Sequence, residues 1–138
     1  MRDEFVDTNV LVYAHDAGAG EKRRTASDLV LRLVDEKRGL ISVQVLMEFF
    51  VAVTRKIPKR LAPDRAAEII KDLAAWEVFS PDSRDVPAGI AISERYKIGF
   101  WDAMIVRAAS ALDASVIWSE DLNHGQIYEG VVVKNPFR

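Results

Sequence analysis

Four of the 21 acidic residues lie where their carboxylates could share one site. Asp7 directly follows a short apolar strand segment, and Asp121 follows another. Glu48 interrupts an apolar helical stretch, and Asp102 lies in the first turn of a further predicted helix. The carboxyl ends of parallel strands border the crevice where such folds bind ligands. The flanking helices could line that crevice, so the four carboxylates predict an oxygen-only site there.

Each of these acids also has an ordinary structural interpretation, which the sequence leaves open. Asp7 could cap the helix that follows it, the helix dipole favours an acid at Asp102, and Asp121 could form a turn. Glu48 could belong to a salt bridge or to a narrow solvent-facing stripe. Glu48 is the most informative residue, because a buried carboxylate without a partner is costly. It should face a cation, a metal or a polar cleft.

An oxygen-only pocket suits Mg²⁺ or Mn²⁺, which carboxylates and water bind well. Carboxylates this close would repel one another without a metal. Two ions ~3.5–4 Å apart could activate a water and stabilise both oxygens of a phosphodiester displacement. The chain has no cysteine and only His15 and His124, which excludes thiolate-ligated zinc and a three-histidine zinc site. Both histidines are interpreted as loop residues rather than ligands.

Short apolar strands that alternate with helices predict a mostly parallel sheet covered on both faces, in a single domain over residues 1–138. The predicted strands are 4–7, 40–42, 77–80, 115–118 and 131–133. The predicted helices are 10–14, 21–37, 43–54, 64–76, 83–97 and 99–112. Gly39 is expected to end the second helix as a left-handed cap, and Ser42 to cap the third.

For two of these helices, the sequence predicts which side chains are buried. The helix over 43–54 is apolar nearly all round, which predicts that it is buried. In the helix over 83–97, we expect Val86, Ile90 and Ser93 to face inward.

The net charge of −2 conceals basic clusters, among them Lys22–Arg24 and Arg55–Arg60. Without the four site acids, the net charge of the rest of the chain is −2 + 4 = +2. That charge is compatible with a modest phosphate-binding surface. The charged start of the chain shows no signal peptide, and no apolar run reaches the ~18 residues of a membrane span. We therefore expect a cytoplasmic protein that does not enter the membrane.

Four motifs together resemble the PIN-domain ribonucleases, and most of all the VapC-like toxins of type II toxin–antitoxin pairs. They lie at residues 7–14, 42–48, 100–105 and 119–126, in the order and spacing of that family. The resemblance maps the family's acids onto Asp7, Glu48, Asp102 and Asp121. It also maps the residues that support them by hydrogen bonding onto Thr8, Asn9 and Ser119. Gly99 departs from the usual Ser or Thr cap, and Ser119 replaces a common Thr.

The resemblance implies a three-layer α/β/α sandwich around a five-stranded sheet of order 3-2-1-4-5, with Asp7 beside Asp121. It further implies a Mg²⁺- or Mn²⁺-dependent endoribonuclease that forms homodimers and is inhibited by a cognate antitoxin. In this hypothesis Asp7, Asp102 and Asp121 bind metal, while Glu48 holds a second ion or the attacking water. The two basic clusters would contact RNA phosphates.

Two other functions are weighed against the nuclease. One is a PIN-like module that has lost catalysis and binds RNA or a protein; the four retained acids argue against it. The other is a phosphoryl-receiver switch, suggested by Lys134-Asn135-Pro136 after the last strand. A receiver needs its aspartate at a mid-chain strand end, where this chain has only Glu48 within a helix.

Overall fold

The computed structural model describes residues 3–138, which form one six-stranded sheet with helices packed around it. Part of the charged chain start, residues 1 and 2, lies outside this range. The strands are β1 (Glu4–Val6), β2 (Gly39–Ser42), β3 (Glu77–Phe79), β4 (Val116–Trp118), β5 (Ile127–Tyr128) and β6 (Val131–Lys134). The helices are α1 (Thr8–His15), α2 (Glu21–Glu36), α3 (Val43–Arg55), α4 (Pro63–Leu73), α5 (Asp85–Tyr96) and α6 (Phe100–Ala111). None of the helices in residues 3–138 is both long and apolar enough to cross a membrane.

The sheet confirms the predicted α/β class and adds one strand to it. Its order is β3-β2-β1-β4-β6-β5, and every pairing is parallel except that of β5 with β6. The five predicted strands occupy the predicted order, and β5 is an extra edge strand. Glu129 and Gly130 both have positive φ, 49° and 83°, as a tight two-residue hairpin turn requires. The two-residue β5 was too short for its pattern to be recognised in the sequence.

The central pairing of β1 with β4 places the two candidate strand-end acids at one edge. Val6 lies opposite Trp118, and the Asp7 amide donates to the Trp118 carbonyl at 3.0 Å. Residues 7 and 119 therefore follow the paired ends of β1 and β4, and Asp7 lies next to Ser119. This confirms that the first and fourth strands are neighbours.

Two predictions about helix faces are wrong. Helix α3 packs on α1, α4 and β2, and its remaining side is open, so Met47 and Val51 are 60% and 40% exposed. Helix α5 turns Gly89 and Ile92 inward and exposes Val86 and Ile90. Gly89 lies directly against the Met104 side chain of α6, which a Cβ at residue 89 would overlap.

The predicted helix end at Gly39 is also wrong. The left-handed residue after α2 is Lys37, with φ 57°, and Gly39 is already the first residue of β2. The Trp76 ring lies so close to Gly39 that a Cβ would overlap it. Glycine is therefore required here for close packing rather than for a cap. The predicted cap Ser42 does accept a hydrogen bond from the Val45 amide, at 3.2 Å.

Candidate functional site

Asp7 lies at the carboxyl end of β1 and is buried, with 4% exposure. It caps α1, because its Oδ1 accepts a hydrogen bond from the Thr8 amide at 2.7 Å. Its Oδ2 accepts hydrogen bonds from the Ser119 hydroxyl at 2.7 Å and from the Asn9 amide nitrogen at 3.2 Å. The capping interpretation thus holds for one carboxylate oxygen, while the other points toward the loop after β4.

The Asn9 side chain joins Asp7 to the loop that carries Asp121. Its Nδ2 also donates to Asp121 Oδ2 at 3.2 Å, and its Oδ1 accepts from the Glu120 amide at 3.0 Å. Ser119 Oγ in turn accepts from the Asp121 amide at 3.1 Å. Asn9 and Ser119 therefore hold the two strand-end acids next to each other.

Glu48 reaches the same cleft from α3. Thr8 Oγ1 donates to Glu48 Oε1 at 2.7 Å, and Gln44 Nε2 donates to Glu48 Oε2 at 3.3 Å. The same Gln44 nitrogen donates to the Trp101 carbonyl at 3.1 Å, beside Asp102. Glu48 is exposed to solvent rather than buried in an apolar helix, so the expectation of a polar cleft holds while that of burial does not.

Asp102 reaches the cleft from the first turn of α6. Its carboxylate is half-buried, and no hydrogen-bond partner occurs for it among the described residues. Burial raises the pKa of Asp102, and the charges of Asp121 and Glu48 raise it further. The four predicted acids thus belong to one electrostatically coupled group.

Burial raises the pKa of Asp7 to about 7. Hydrogen bonds from Ser119 and Thr8 oppose this effect, while the charges of Asp121 and Glu48 add to it. Within residues 3–138, no lysine, arginine or histidine forms an ion pair with any of the four acids. This excludes a structural salt bridge to Glu48 within the described chain.

Two buried acids outside the cluster, Glu4 and Asp85, have cationic partners, whereas the buried Asp16 accepts a hydrogen bond from the Gly18 amide. Glu4 pairs with Arg32 at 2.8 Å and with Arg38 at 3.0 Å, and Asp85 pairs with Arg107 at 2.9 Å. An uncompensated cluster of negative charge is therefore a feature of this cleft and not of the fold as a whole.

The donor set fits a hard divalent cation, although the side chains do not surround one point. In the described part of the chain, no three acidic or histidine side chains are close enough to ligate one ion together. Mg²⁺ keeps several of its waters and is usually held by one or two carboxylates, so it does not need such a cage. Asp7, Asp102 and Asp121 could hold it directly or through water, with Glu48 at the rim.

The sequence model of the PIN domain matches residues 5–130, which is most of the chain. The chain belongs to the PIN domain family. A comparison with curated protein sequences finds no significant match.

Solved structures of toxins and toxin–antitoxin complexes share this PIN fold. The Mycobacterium tuberculosis toxin VapC20, described as cleaving the sarcin–ricin loop, is 19% identical with a TM-score of 0.66, over 86% of this chain and 90% of that one. A toxin–antitoxin complex from Klebsiella pneumoniae is 20% identical with a TM-score of 0.69, over 97% and 98%. DNA-bound VapBC from Salmonella typhimurium is 20% identical with a TM-score of 0.65, over 99% of both chains.

Beside the acids of this PIN domain lies a network that the sequence did not predict. The Glu120 carboxylate accepts a hydrogen bond from the Tyr13 hydroxyl at 2.8 Å and pairs with Lys22. The Lys22 ammonium also lies over the rings of Tyr13 and Phe137. Burial alone would raise the pKa of Glu120, but the hydrogen bonds from Lys22 and Tyr13 outweigh it and lower that pKa.

This network fastens the loop of Asp121 to α1 and α2, and it changes the interpretation of one basic cluster. Lys22, expected to contact RNA, is already held by Glu120. Glu120 lies between Ser119 and Asp121, and Tyr13 lies one turn after Asn9. Their proximity to the motif residues along the chain could have indicated a role for Glu120 and Tyr13. Nothing in the sequence indicates that Glu120 pairs with the distant Lys22.

The two histidines contact other parts of the PIN domain. His15 is the last residue of α1 rather than a loop residue, and its Nδ1 lies 3.0 Å from the Leu11 carbonyl. Its ring packs edge-on against Phe49. His124 lies in the loop after β4, where its Nδ1 accepts a hydrogen bond from the Asn135 amide at 3.0 Å. Neither histidine is hydrogen-bonded to the four acids.

The surface of the described chain has two sizeable grooves, one at the acidic cluster and one away from it. A groove of about 600 Å³ runs from Asn9, Glu48 and Asp121 along α1 and α3 to Lys56. A second groove, of about 760 Å³, lies between α2 and α4 and is lined in part by the exposed Leu31 and Val34. Only the first includes members of the acidic cluster.

Proposed function

We propose that this PIN domain is a metal-dependent endoribonuclease, the toxin of a toxin–antitoxin pair, which uses Mg²⁺ or Mn²⁺. One observation carries the proposal: four carboxylates share a cleft in which no cationic side chain of residues 3–138 compensates them. Unpaired carboxylates at one site are unfavourable unless a cation binds. The structurally similar VapC20 is described as a toxin that cleaves the sarcin–ricin loop, which supports RNA as the substrate class.

The bound metal would supply an activated water and charge stabilisation at the phosphate. Asp7, Asp102 and Asp121 would hold it, and Glu48 would orient the attacking water or a second ion. Thr8 fixes the Glu48 carboxylate, while Asn9 and Ser119 fix Asp7. Such outer hydrogen bonds commonly tune metal affinity about 10- to 100-fold.

The proposal includes a cognate antitoxin and a homodimer in the cytoplasm. Structurally similar proteins occur in toxin–antitoxin complexes, which supports the first partner. The apolar groove between α2 and α4, with Leu31 58% exposed, could bind an apolar antitoxin segment. The exposed Val86 and Ile90 of α5 offer an apolar face for self-association.

A catalytically silent PIN module that binds RNA or a protein is the second candidate. It is favoured by one observation, namely that no three acidic or histidine side chains in residues 3–138 surround a common point. The two candidates differ in whether divalent metal changes the behaviour of the protein toward RNA.

Metal removal distinguishes them. We expect the purified protein to cleave total RNA at a limited set of sites in Mg²⁺ or Mn²⁺, because the acids need a cation to approach a phosphate. Excess EDTA should stop cleavage, and restored metal should return it. Sequencing of the cut ends is the measurement. Unchanged cleavage in EDTA, or RNA binding without any cleavage at any metal concentration, would refute the nuclease proposal.

A second test addresses Glu120, which holds the Asp121 loop without being a candidate ligand. Glu120→Gln removes the charge that Lys22 pairs with and should weaken Mn²⁺ affinity roughly 10-fold, through looser positioning of Asp121. Isothermal titration of Mn²⁺ measures this directly. Glu129→Gln is the matched control, because Glu129 also accepts hydrogen bonds from an arginine and a tyrosine, Arg95 and Tyr96, outside the cleft. Equal Mn²⁺ affinity in both variants would show that the Glu120 network has no positioning role.

A further inference from the structure

The loop that carries Asp121 lies against the end of β6. It begins at Ser119, whose amide donates to the Lys134 carbonyl at 3.0 Å, and it ends at Gly125, whose amide donates to the Val133 carbonyl at 2.8 Å. Asp121 lies between these two anchors and is exposed. The position of its carboxylate therefore depends on the contacts that hold the rest of the loop.

The segment that follows β6 contacts this loop and then turns at Pro136. The Asn135 amide donates to His124 Nδ1 in the loop at 3.0 Å, and Asn135 Oδ1 accepts a hydrogen bond from the Phe137 amide at 2.9 Å. Asparagine side chains commonly close such turns, and the proline between the two residues restricts the backbone. Lys134-Asn135-Pro136, which suggested a phosphoryl receiver from the sequence, thus leads into a turn that places Phe137 against α1.

Phe137 belongs to the cluster that binds Glu120. Its ring meets the Tyr13 ring edge-on, with the ring centroids 5.1 Å apart. The Lys22 ammonium lies 5.4 Å from the centroid of Phe137 and 4.9 Å from that of Tyr13, and it pairs with Glu120. Edge-on aromatic contacts and cation–aromatic contacts are both favourable. Phe137 therefore helps to hold Lys22 where it binds the residue before Asp121.

We propose that Asn135 and Phe137 are positioning residues of the metal site, an inference that rests on the proposed metal-dependent function. Neither residue is a ligand. Asn135 fixes the turn and contacts the far end of the loop, and Phe137 acts through Lys22 and Glu120. Together they hold Asp121 where it can contribute to metal binding.

The burial of the acids determines what loss of this positioning does. Asp7 is buried and caps α1, so its carboxylate keeps its place without Phe137. The Asp121 carboxylate is exposed and accepts one hydrogen bond within residues 3–138, from Asn9 at 3.2 Å. A looser loop therefore weakens metal binding without removing a ligand, and saturating metal should restore the reaction rate.

The test is isothermal titration of Mn²⁺ into the full chain with Phe137→Leu, which keeps apolar bulk but removes the ring. We expect the Mn²⁺ affinity to fall about fivefold, less than for residues that contact the ligands themselves. The Mn²⁺ concentration for half-maximal RNA cleavage should rise by the same factor, while kcat at saturating Mn²⁺ stays within about twofold of the wild type. Phe137→Tyr keeps the ring and should restore the Mn²⁺ affinity. Asn135→Ala, which opens the turn, should weaken Mn²⁺ binding about threefold.

The double variant Glu120→Gln, Phe137→Leu tests the route of this effect. Because Phe137 acts through Lys22 and Glu120, its replacement should matter little once the Glu120 charge is gone. The double variant should bind Mn²⁺ no more than about twofold more weakly than Glu120→Gln alone. Fully additive losses would show that Phe137 does not act through Glu120 and would overturn the proposal.

Tyr96→Leu is the matched control. Tyr96 is also a half-buried aromatic residue, with Arg95 over its ring and the Tyr128 ring edge-on at 5.0 Å, but it lies outside the cleft. Its replacement should lower the melting temperature without changing the Mn²⁺ affinity. Melting curves verify folding of every variant, and Asn135→Ala decides if Phe137→Leu does not fold.

The outcomes separate this inference from the function on which it rests. If the wild type binds Mn²⁺ and the folded variants of Asn135 and Phe137 bind it equally tightly, the positioning role is overturned while the nuclease proposal stands. The same holds if saturating Mn²⁺ fails to restore kcat in these variants. If the wild type binds no Mn²⁺, the metal-dependent function itself fails, and the inference fails with it.

Discussion

Asp7→Asn should abolish RNA cleavage and, in metal-free buffer at pH 8, should raise the melting temperature. The loss of activity is expected because an amide is a poor ligand for a hard cation, and metal stabilisation of the transition state contributes several kcal/mol. That corresponds to roughly a 10³-fold or larger decrease in kcat/KM. Cleavage of a mapped RNA in saturating Mn²⁺ measures it.

The gain in stability follows from the position of Asp7. Its pKa is raised from 3.8 to about 7, so ionising it in the folded protein costs roughly 4 kcal/mol at pH 8. Asparagine carries no charge, but its NH₂ group would replace the oxygen that now accepts hydrogen bonds from the Ser119 hydroxyl and the Asn9 amide nitrogen. Losing these two hydrogen bonds costs about 2 kcal/mol. A net gain of about 2 kcal/mol raises the melting temperature by roughly 8 °C.

Asp85→Asn is the matched control for Asp7→Asn. Asp85 is equally buried, at 7% exposure, but it pairs with Arg107. Its replacement should lower the melting temperature, because Arg107 loses its partner, and should leave cleavage unchanged. An Asp7→Asn protein that is less stable than the wild type, or that still cleaves RNA at the wild-type rate, would contradict our description of the site.

The sequence was sufficient where local chemistry determined the outcome. Asp7 follows a strand and precedes a helix, so both its capping role and its place at the sheet edge could be predicted from its neighbours. Ser42 could be predicted as a helix cap for the same reason. The order of the sheet, however, came from a family resemblance, because strand pairing is non-local and the apolar pattern does not specify it.

The failures of prediction share a different physical cause. An apolar helix such as α3 indicates burial only if neighbours cover every side, and Met47 is exposed because nothing packs there. The inward face of α5 is the one that packs on α6, with Gly89 against Met104, and no periodicity reveals that contact. The pairing of Lys22 with Glu120 joins residues 98 positions apart. Tertiary contacts decided each of these features.

In metal-free buffer, the free energy of unfolding of the wild type relative to Asp7→Asn should fall as pH rises from about 4 to 7. Asp7 has a pKa of about 7 in the folded protein and its ordinary value, 3.8, when unfolded. Between these values the folded state holds a proton that the unfolded state has released. Raising the pH therefore favours unfolding, by about 1.4 kcal/mol per pH unit, and the effect levels off above pH 7.

Taking the difference between the two proteins removes the titrating groups that are not coupled to Asp7. His15 has a pKa below its usual value because of burial, so it contributes stability that increases as pH rises toward 6.5. Glu4 and Glu120 have lowered pKa values, and their contributions are lost only as the solution becomes acidic. All three are present in both proteins. Urea unfolding at intervals from pH 5 to 8 yields the difference, and a flat difference curve would show that Asp7 is ionised throughout.

Saturating Mg²⁺ or Mn²⁺ should reverse the pH trend for the wild type alone. A cation favours the ionised form of Asp7, so metal binding releases a proton and becomes tighter as pH rises. Binding to the folded state adds RT ln(1 + [L]/Kd) to its stability, and this addition should be greatest near pH 8, where the metal-free protein is least stable. Asp7→Asn should gain much less from metal at every pH. If both proteins gain equally, the metal binds elsewhere, and the acidic cleft would then require another explanation for its uncompensated charge.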